Sequence, residues 1–385
     1  MTDVLEINHL DDLDAYRPAW DALLGQTAGT SFFQSFRWLE IYWKHFGAGQ
    51  KLRVLVVTAG GRPDGILPLV VRTETSKVGR LRVLTYPLHD WGSFYGPIGP
   101  DPAATLEAGM KHVRRTRRDW DIVELRWLGR PGTDPVQTRR SMLAAGFQAY
   151  QTLWNRTAIV ELHGTWDEYF ARRTSHWRNN FRRAEKRLAR RGELCYVRHR
   201  PAGKAAGDGD PRWDLYDACE QLARESWQGS ATDGTTLSHE KVRPFLREVH
   251  LAAAEEGTLD LNLLLLDGQP SAFAYNYHDR GYIDGLRAGY DASRPRDGMG
   301  GLLQSYAIRD SFRRGDCVYD LGVGSLRGKR YFTTSIASIV RCGHYPPASP
   351  RTQILRLKRW LDSRSMAPAR SIAAGRGQDG AAGTR

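Results

Sequence analysis

The residues best arranged for chemistry in this chain are Tyr290-Asp291-Ala292-Ser293-Arg294-Pro295-Arg296-Asp297-Gly298-Met299-Gly300-Gly301-Leu302, between a strand pattern and a helical one. Glycine reaches backbone conformations that a side chain forbids, so Gly298, Gly300 and Gly301 let the N–H groups around Met299 turn outward where a helix begins. The helix dipole favours negative charge at that point, and Arg294 and Arg296 would add cations at the rim. A diphosphate is the guest such a loop suits. Gly-x-Gly-Gly before a helix also serves as a plain turn, so the surrounding elements have to decide between the two.

Other chemistries lose ground. Cys195, Cys219, Cys317 and Cys342 stand far apart, without the paired spacing of a zinc ribbon or a redox dithiol, which leaves free thiols in a reducing compartment. There is no His-x-x-x-His helix pair, no Gly-x-Ser-x-Gly elbow and no Gly-x-x-x-x-Gly-Lys loop, against a metallohydrolase, a serine hydrolase and a P-loop NTPase. No metal is expected. The N-terminus has no apolar core flanked by positive charge and no stretch is long enough to span a bilayer, so the expected location is cytoplasmic.

The elements that would position the loop fall into two series. With 385 residues the chain can bury two cores. In the first series, Leu52 to Thr58 reads as a strand, Ala59 to Gly65 as a turn and Ile66 to Val71 as the return strand. A strand at Arg82 to Tyr86, a helix near Ala103 to Arg118 and a strand Asp121 to Leu128 follow. In the second, the strand Leu259 to Leu266, the turn Asp267-Gly268-Gln269-Pro270 and the strands Ser271 to His278 and Tyr282 to Tyr290 precede the glycines, a helix Leu302 to Arg314 and a strand Cys317 to Leu321. The same order twice predicts a tandem duplication of one α/β unit. In the first copy the matching bend is Gly96-Pro97-Ile98-Gly99-Pro100-Asp101-Pro102, whose prolines lack donors and whose aspartate repels an anion. That copy should hold no phosphate and should wall an acceptor cleft, with Trp91, Phe94 and Tyr95 facing it or packing in the core.

Between the copies, Phe170, Trp177, Phe181, Ala184 and Leu188 recur at helical steps, predicting one long helix over 166–191. The net charge of +13 concentrates there. Nine cations between Arg172 and Arg191 face only Glu185, and the segment after Asp362 adds Arg364, Arg370, Arg376 and Arg385 against Asp379. An anionic partner would therefore meet one helix rather than the whole surface. The expected division is an N-terminal lobe over 1–165 without a cofactor loop, a C-terminal lobe over 166–362 carrying the cofactor site, and a disordered tail over 363–385.

With the loop placed after a three-strand meander, the second half resembles the GNAT superfamily of acyl-CoA N-acyltransferases, whose cofactor loop reads Arg/Gln-x-x-Gly-x-Gly/Ala. Gly298-Met299-Gly300 supplies the Gly-x-Gly part, and Pro295 stands where the family has Arg or Gln. From about Ser31 to Pro347 the chain also resembles the CelD-like acetyltransferases, a two-lobed GNAT branch related in shape to Fem-type aminoacyl transferases. The matching pieces are Phe33-Gln34-Ser35-Phe36-Arg37-Trp38, Phe181 to Leu188, Asp267-Gly268-Gln269-Pro270, Tyr319 to Gly324 and Lys329 to Phe332. The resemblance implies an α/β fold of tandem duplicated GNAT-like lobes, with mixed central sheets flanked by helices. It also implies acyl transfer, acetyl in the first instance, from acetyl-CoA or another acyl-CoA to an amine, in polysaccharide or cell-envelope biosynthesis.

That chemistry needs an amine freed of its proton, a donor for the oxyanion and a proton for the thiolate. The resemblance places the oxyanion donor on the backbone of about Leu286 to Gly289. Asp284 and Asp320 become the candidate bases, with a structural acceptor role open to Asp320. Tyr331 is the candidate acid and Tyr306 its alternate, and Lys329 would hold a cofactor phosphate or an anionic acceptor. A small molecule or a saccharide bearing an amine is the expected acceptor, and the oligomeric state is open. Two rivals remain. The basic helix Arg172 to Arg191, with Trp177 for stacking, could take tRNA for an aminoacyl donor, a reading ranked below acyl-CoA. Alternatively the chain is a non-catalytic module, with Ile354, Leu355, Leu357, Trp360 and Leu361 among basic residues touching an anionic membrane or a membrane-bound synthase, or simply packing on the second lobe.

Overall fold

A computed structural model describes residues 2–130, 133–226, 236–291, 293 and 298–365. Its strands are β1 (Thr2–Ile7), β2 (Lys51–Ala59), β3 (Arg62–Ser76), β4 (Gly79–Thr85), β5 (Ile122–Leu128), β6 (Ala149–Glu161), β7 (Leu194–His199), β8 (Leu259–Leu266), β9 (Gln269–Asp279), β10 (Tyr282–Tyr290), β11 (Val318–Asp320) and β12 (Ser335–His344). Strand-forming apolar runs closed by two-residue turns explain the hairpins. Gly60 and Gly61 both take positive φ between β2 and β3, as Asp267 and Gly268 do between β8 and β9, the backbone that a tight hairpin requires.

The fold is mixed α/β, with helices flanking a large mixed sheet, as the sequence pattern predicted. The strands join into one twelve-stranded sheet in the order β1-β2-β3-β4-β5-β12-β6-β11-β10-β9-β8-β7, so the central sheets expected of the two copies run on as one. The repeat is visible in the pairing. β4 is parallel to β5 across the helix Pro102–Arg115, and β10 is parallel to β11 across the helix Met299–Arg314. Each half is then completed by a strand from the other half of the chain: β12 lies against β5, β6 lies against β11, and β6 and β12 pair with each other at the centre.

Apolar packing also crosses between the halves. Phe32 meets Tyr277 with ring centroids 4.8 Å apart, and Trp38 meets Phe245 edge-on at 5.5 Å, within one core cluster that draws on both.

Three expectations are revised. The interlobe segment forms two helices, Trp166–Ala171 and Ser175–Ala189, because the Thr174 side chain accepts the Trp177 amide and starts a new helix, satisfying an otherwise orphaned donor. β1, β6, β7 and β12 lie outside the anticipated strands. The last helix, Pro350–Ser365, runs past 362, while the rest of the expected disordered tail lies outside the described residues.

Candidate active site

β10 and β11 pair only from Tyr282↔Val318 to Asp284↔Asp320. Past that point β11 has ended while β10 continues to Tyr290. β10 carries a bulge there: Gly285 faces Asn276 and Arg287 faces Tyr275, so Leu286 has no partner in the β9 register. A bulge re-aims the strand and frees a backbone group. Gly285 and Gly322 make the tight crossing possible, since a Cβ on Gly322 would lie 2.2 Å from the Gly285 carbonyl oxygen.

A cavity of about 270 Å³ opens beside this crossing, between the halves. Asp284, Arg287 and Asp320 line it from the second half, and Trp91, Phe94 and Trp127 from the first. Phe94 and Trp127 hold positive φ, 45° and 61°, an uncommon conformation for large side chains that tends to gather at functional sites. Trp91 and Phe94 line the cleft, and Trp91 also packs in the core. Tyr95 is buried among core residues and is not among the side chains lining it.

The two aspartates differ in surroundings. Asp284 receives Arg130 Nη1 on both oxygens, at 2.8 and 2.9 Å. Burial raises its carboxyl above the ordinary value, with Arg130 opposing. Burial also works to lower the Arg130 guanidinium, and the Asp284 carboxylate together with Tyr282 and Asp320 more than reverses it. Among the described residues no cation forms an ion pair with Asp320, although the Arg130 charge acts on it from a distance. Asp320 accepts the Thr157 hydroxyl and, at 2.7 Å, the Gly322 amide, with the Tyr282 hydroxyl at 3.4 Å. Burial, joined by the neighbouring Asp284, pushes it up to about 6 against the Thr157 hydrogen bond. A carboxylate in that range accepts protons near neutrality.

The glycines stand at the start of the helix Met299–Arg314. Gly298 is its N-cap at φ 74°, makes no side-chain cap, and no acidic residue occupies the first turn. Gly301 is open, with no atom within 4 Å of where a Cβ would sit, whereas the Met299 side chain is core. The matching helix of the first half is closed: the Asp101 side chain accepts the Ala104 amide at 2.9 Å and Pro102 occupies its first turn. Arg183, Lys186 and Arg187 of the basic helix, with Arg190 and Arg191 just past its end, line a cleft of about 380 Å³. Arg187 Nη2 would lie 3.9 Å from a Cβ on Gly298, so the cations border the helix start.

Residues 175–332 match the model of a family described as an acetyltransferase (GNAT) domain. The enzyme class is acyltransferase. In fold the chain is similar to FemX, with TM-score 0.59 and 12% identity, covering 93% of this chain and 100% of that one. It is likewise similar to the C-terminal domain of a putative lysylphosphatidylglycerol synthetase from Agrobacterium fabrum, with TM-score 0.52 and 12% identity, covering 91% and 96%. No curated protein matches at a significant level.

Within this acyltransferase frame several anticipated residues have partners of their own. Lys329 donates to the carbonyls of Gly322 and Val323 at 2.7 and 2.8 Å, pinning the loop that lines the cavity, and burial lowers its ammonium to about 8. Tyr331 is 40% exposed, accepts from Arg330 at 2.6 Å and does not line the cavity. Tyr306 donates to Glu185 at 2.7 Å and so ties the glycine-led helix to the basic one. Trp177, the intended stacking platform for RNA, is buried against Phe332 and Phe170. Arg294 and Arg296 lie outside the described residues. The sequence reading missed Thr157, Arg130 and Tyr282. Thr157 and Arg130 are 163 and 154 residues from the aspartates they serve, a distance that no local pattern signals.

Proposed function

We propose that this acyltransferase moves an acyl group, acetyl in the simplest case, from an acyl-CoA to the amine of an acceptor seated in the cavity between the halves. The observation that carries the reading is Asp320: a buried carboxyl held near 6 at the point where β10 and β11 part. In amide formation a C–N bond forms, the C–S bond breaks and the amine nitrogen gives up a proton. Asp320, ionised at neutral pH, takes that proton directly or through a water. The backbone around the Leu286 bulge supplies donors to the oxyanion. The amides at Met299, Gly300 and Gly301, with the cations of the neighbouring cleft, would hold the carrier's phosphates.

The cavity favours a saccharide as the acceptor. Trp91, Phe94, Trp127 and Trp154 give it apolar walls beside Asp90 and Asp284, a combination that suits a sugar ring bearing an amine and agrees with the CelD-like resemblance. Thioester consumption with acetyl-CoA and a panel of amines, amino sugars included, tests the proposal. Calorimetry should show coenzyme A binding, and Asp320→Asn should cut turnover about a hundredfold or more while keeping that binding. Binding without turnover on any amine would leave a non-catalytic module, and preference for bulk tRNA over coenzyme A would restore the aminoacyl carrier.

A further inference from the structure

The helix Pro350–Ser365 is fastened along one face. Leu355 is buried with Leu81, Val83, Ile122 and Tyr345. Arg359 pairs with the buried carboxylate of Glu124, and Arg356 donates to the Tyr150 hydroxyl at 2.7 Å. The Leu153 amide donates to the Ser363 hydroxyl at 2.9 Å, and Arg351 donates to the carbonyls of Val78 and Arg80 at 3.1 and 3.0 Å. These contacts hold the helix in one rotation about its axis.

That rotation turns an apolar stripe outward. Ile354, Leu357, Trp360 and Leu361, spaced at three, six and seven residues, are 59%, 56%, 46% and 52% exposed. They are four of the nine large hydrophobic side chains exposed among the described residues. Single exposed leucines need no explanation, but a row of four on a pinned helix does. Packing on the second half of the protein, the simpler expectation, is not what is found: Leu355 is buried chiefly against β4 and β5 of the first half, and these four are exposed.

The rim of the stripe is cationic. Arg364 lies over the Trp360 ring at 4.6 Å, and Lys358 stands beside Lys77. Asp362 is the one acid in the helix, against Arg351, Arg356, Lys358, Arg359 and Arg364. The sequence beyond it adds Arg370, Arg376 and Arg385 against Asp379. A second copy related by a two-fold axis would set this rim against itself, cation to cation. An anionic lipid surface satisfies both parts, because apolar side chains enter the headgroup boundary while Lys and Arg reach the phosphates. No helix among the described residues is long and apolar enough to cross a membrane, so any such contact by this helix lies in the plane of the interface.

We infer that the helix Pro350–Ser365 docks flat on an anionic membrane, Ile354, Leu357, Trp360 and Leu361 entering the interface and Lys358 and Arg364 meeting lipid phosphates. The inference is independent of the chemistry assigned to the cavity. Flotation of the full chain with phosphatidylcholine vesicles, with and without phosphatidylglycerol, tests it. Binding is expected only with the anionic lipid and weakens as salt rises. The double substitution Leu357→Ser, Leu361→Ser should weaken it about tenfold or more, with the melting temperature unchanged because both side chains are exposed. Lys358→Glu with Arg364→Glu should remove the preference for anionic lipid. Absence of wild-type binding, or binding indifferent to these substitutions, overturns the inference. So does a dimer in analytical ultracentrifugation that the double serine variant dissolves, which would assign the stripe to a second copy.

Discussion

Asp284 and Asp320 sit side by side as register partners, and the same substitution should push them in opposite directions. Asparagine at 320 keeps an acceptor for Thr157 and Gly322 but carries no charge. Asp320 is held at about 6 against an ordinary 3.8, so the folded state binds its proton more tightly than the unfolded chain does. As pH rises from about 4 to above 6 the fold loses stability through this group, by about 3 kcal/mol in all. Asp320→Asn should therefore stabilise the fold at pH 7 to 8 by about 1–3 kcal/mol, read as a higher melting temperature, and show no such gain near pH 4. Turnover should meanwhile fall by about a hundredfold or more. Wild-type kcat/KM should climb with pH through about 6 and level off, and the variant should lack that limb. Asp284→Asn leaves the Arg130 guanidinium buried without its carboxylate and should cost about 3 kcal/mol in a denaturant melt. Both aspartates could be picked out from their strands alone. Which of them titrates could not, because the deciding neighbours, Thr157 and Arg130, arrive from distant parts of the chain.

At the scale of elements, the crossing of β10 and β11 fixes where Asp320 points. Gly322 sits at φ 76° with the Gly285 carbonyl 2.2 Å from where a Cβ would be, so backbone blocks any side chain there. Gly322→Ala should destabilise by about 2 kcal/mol. The Gly322 amide also donates to Asp320 at 2.7 Å, a bond that favours the ionised form. The variant should then shift the acidic limb of the pH–rate profile upward, which a merely structural role would not do. The strands β8 to β11, the hairpin turns and the glycine-led helix of the second half were legible because period and turn chemistry are local. The break at Thr174 was not, since apolar steps of three and four continue across it. The contacts of Lys329 were hidden for a related reason: the carbonyls it holds belong to a loop whose path follows from the Gly285–Gly322 crossing.

At the scale of the whole molecule, the exchange of β6 and β12 makes each half incomplete without the other. Cutting the chain after residue 165 would strip β11 of β6. It would also remove Val160 and Leu162 from the cluster containing Ile283, Ala307 and Tyr319, and take Thr157 from Asp320. The core that includes Phe32, Trp38, Phe245 and Tyr277 would be opened as well. The expected division into lobes at 165 therefore describes the repeat, and we propose that folding does not follow it. Calorimetry of the full chain should show a single transition whose van't Hoff and calorimetric enthalpies agree. Residues 166–365 expressed alone should fail to give a folded, active product, and adding residues 1–165 as a separate chain should restore both. Two resolved transitions, or an independently folded second half, would mean that the central β6–β12 pairing contributes little and that each copy closes its own core.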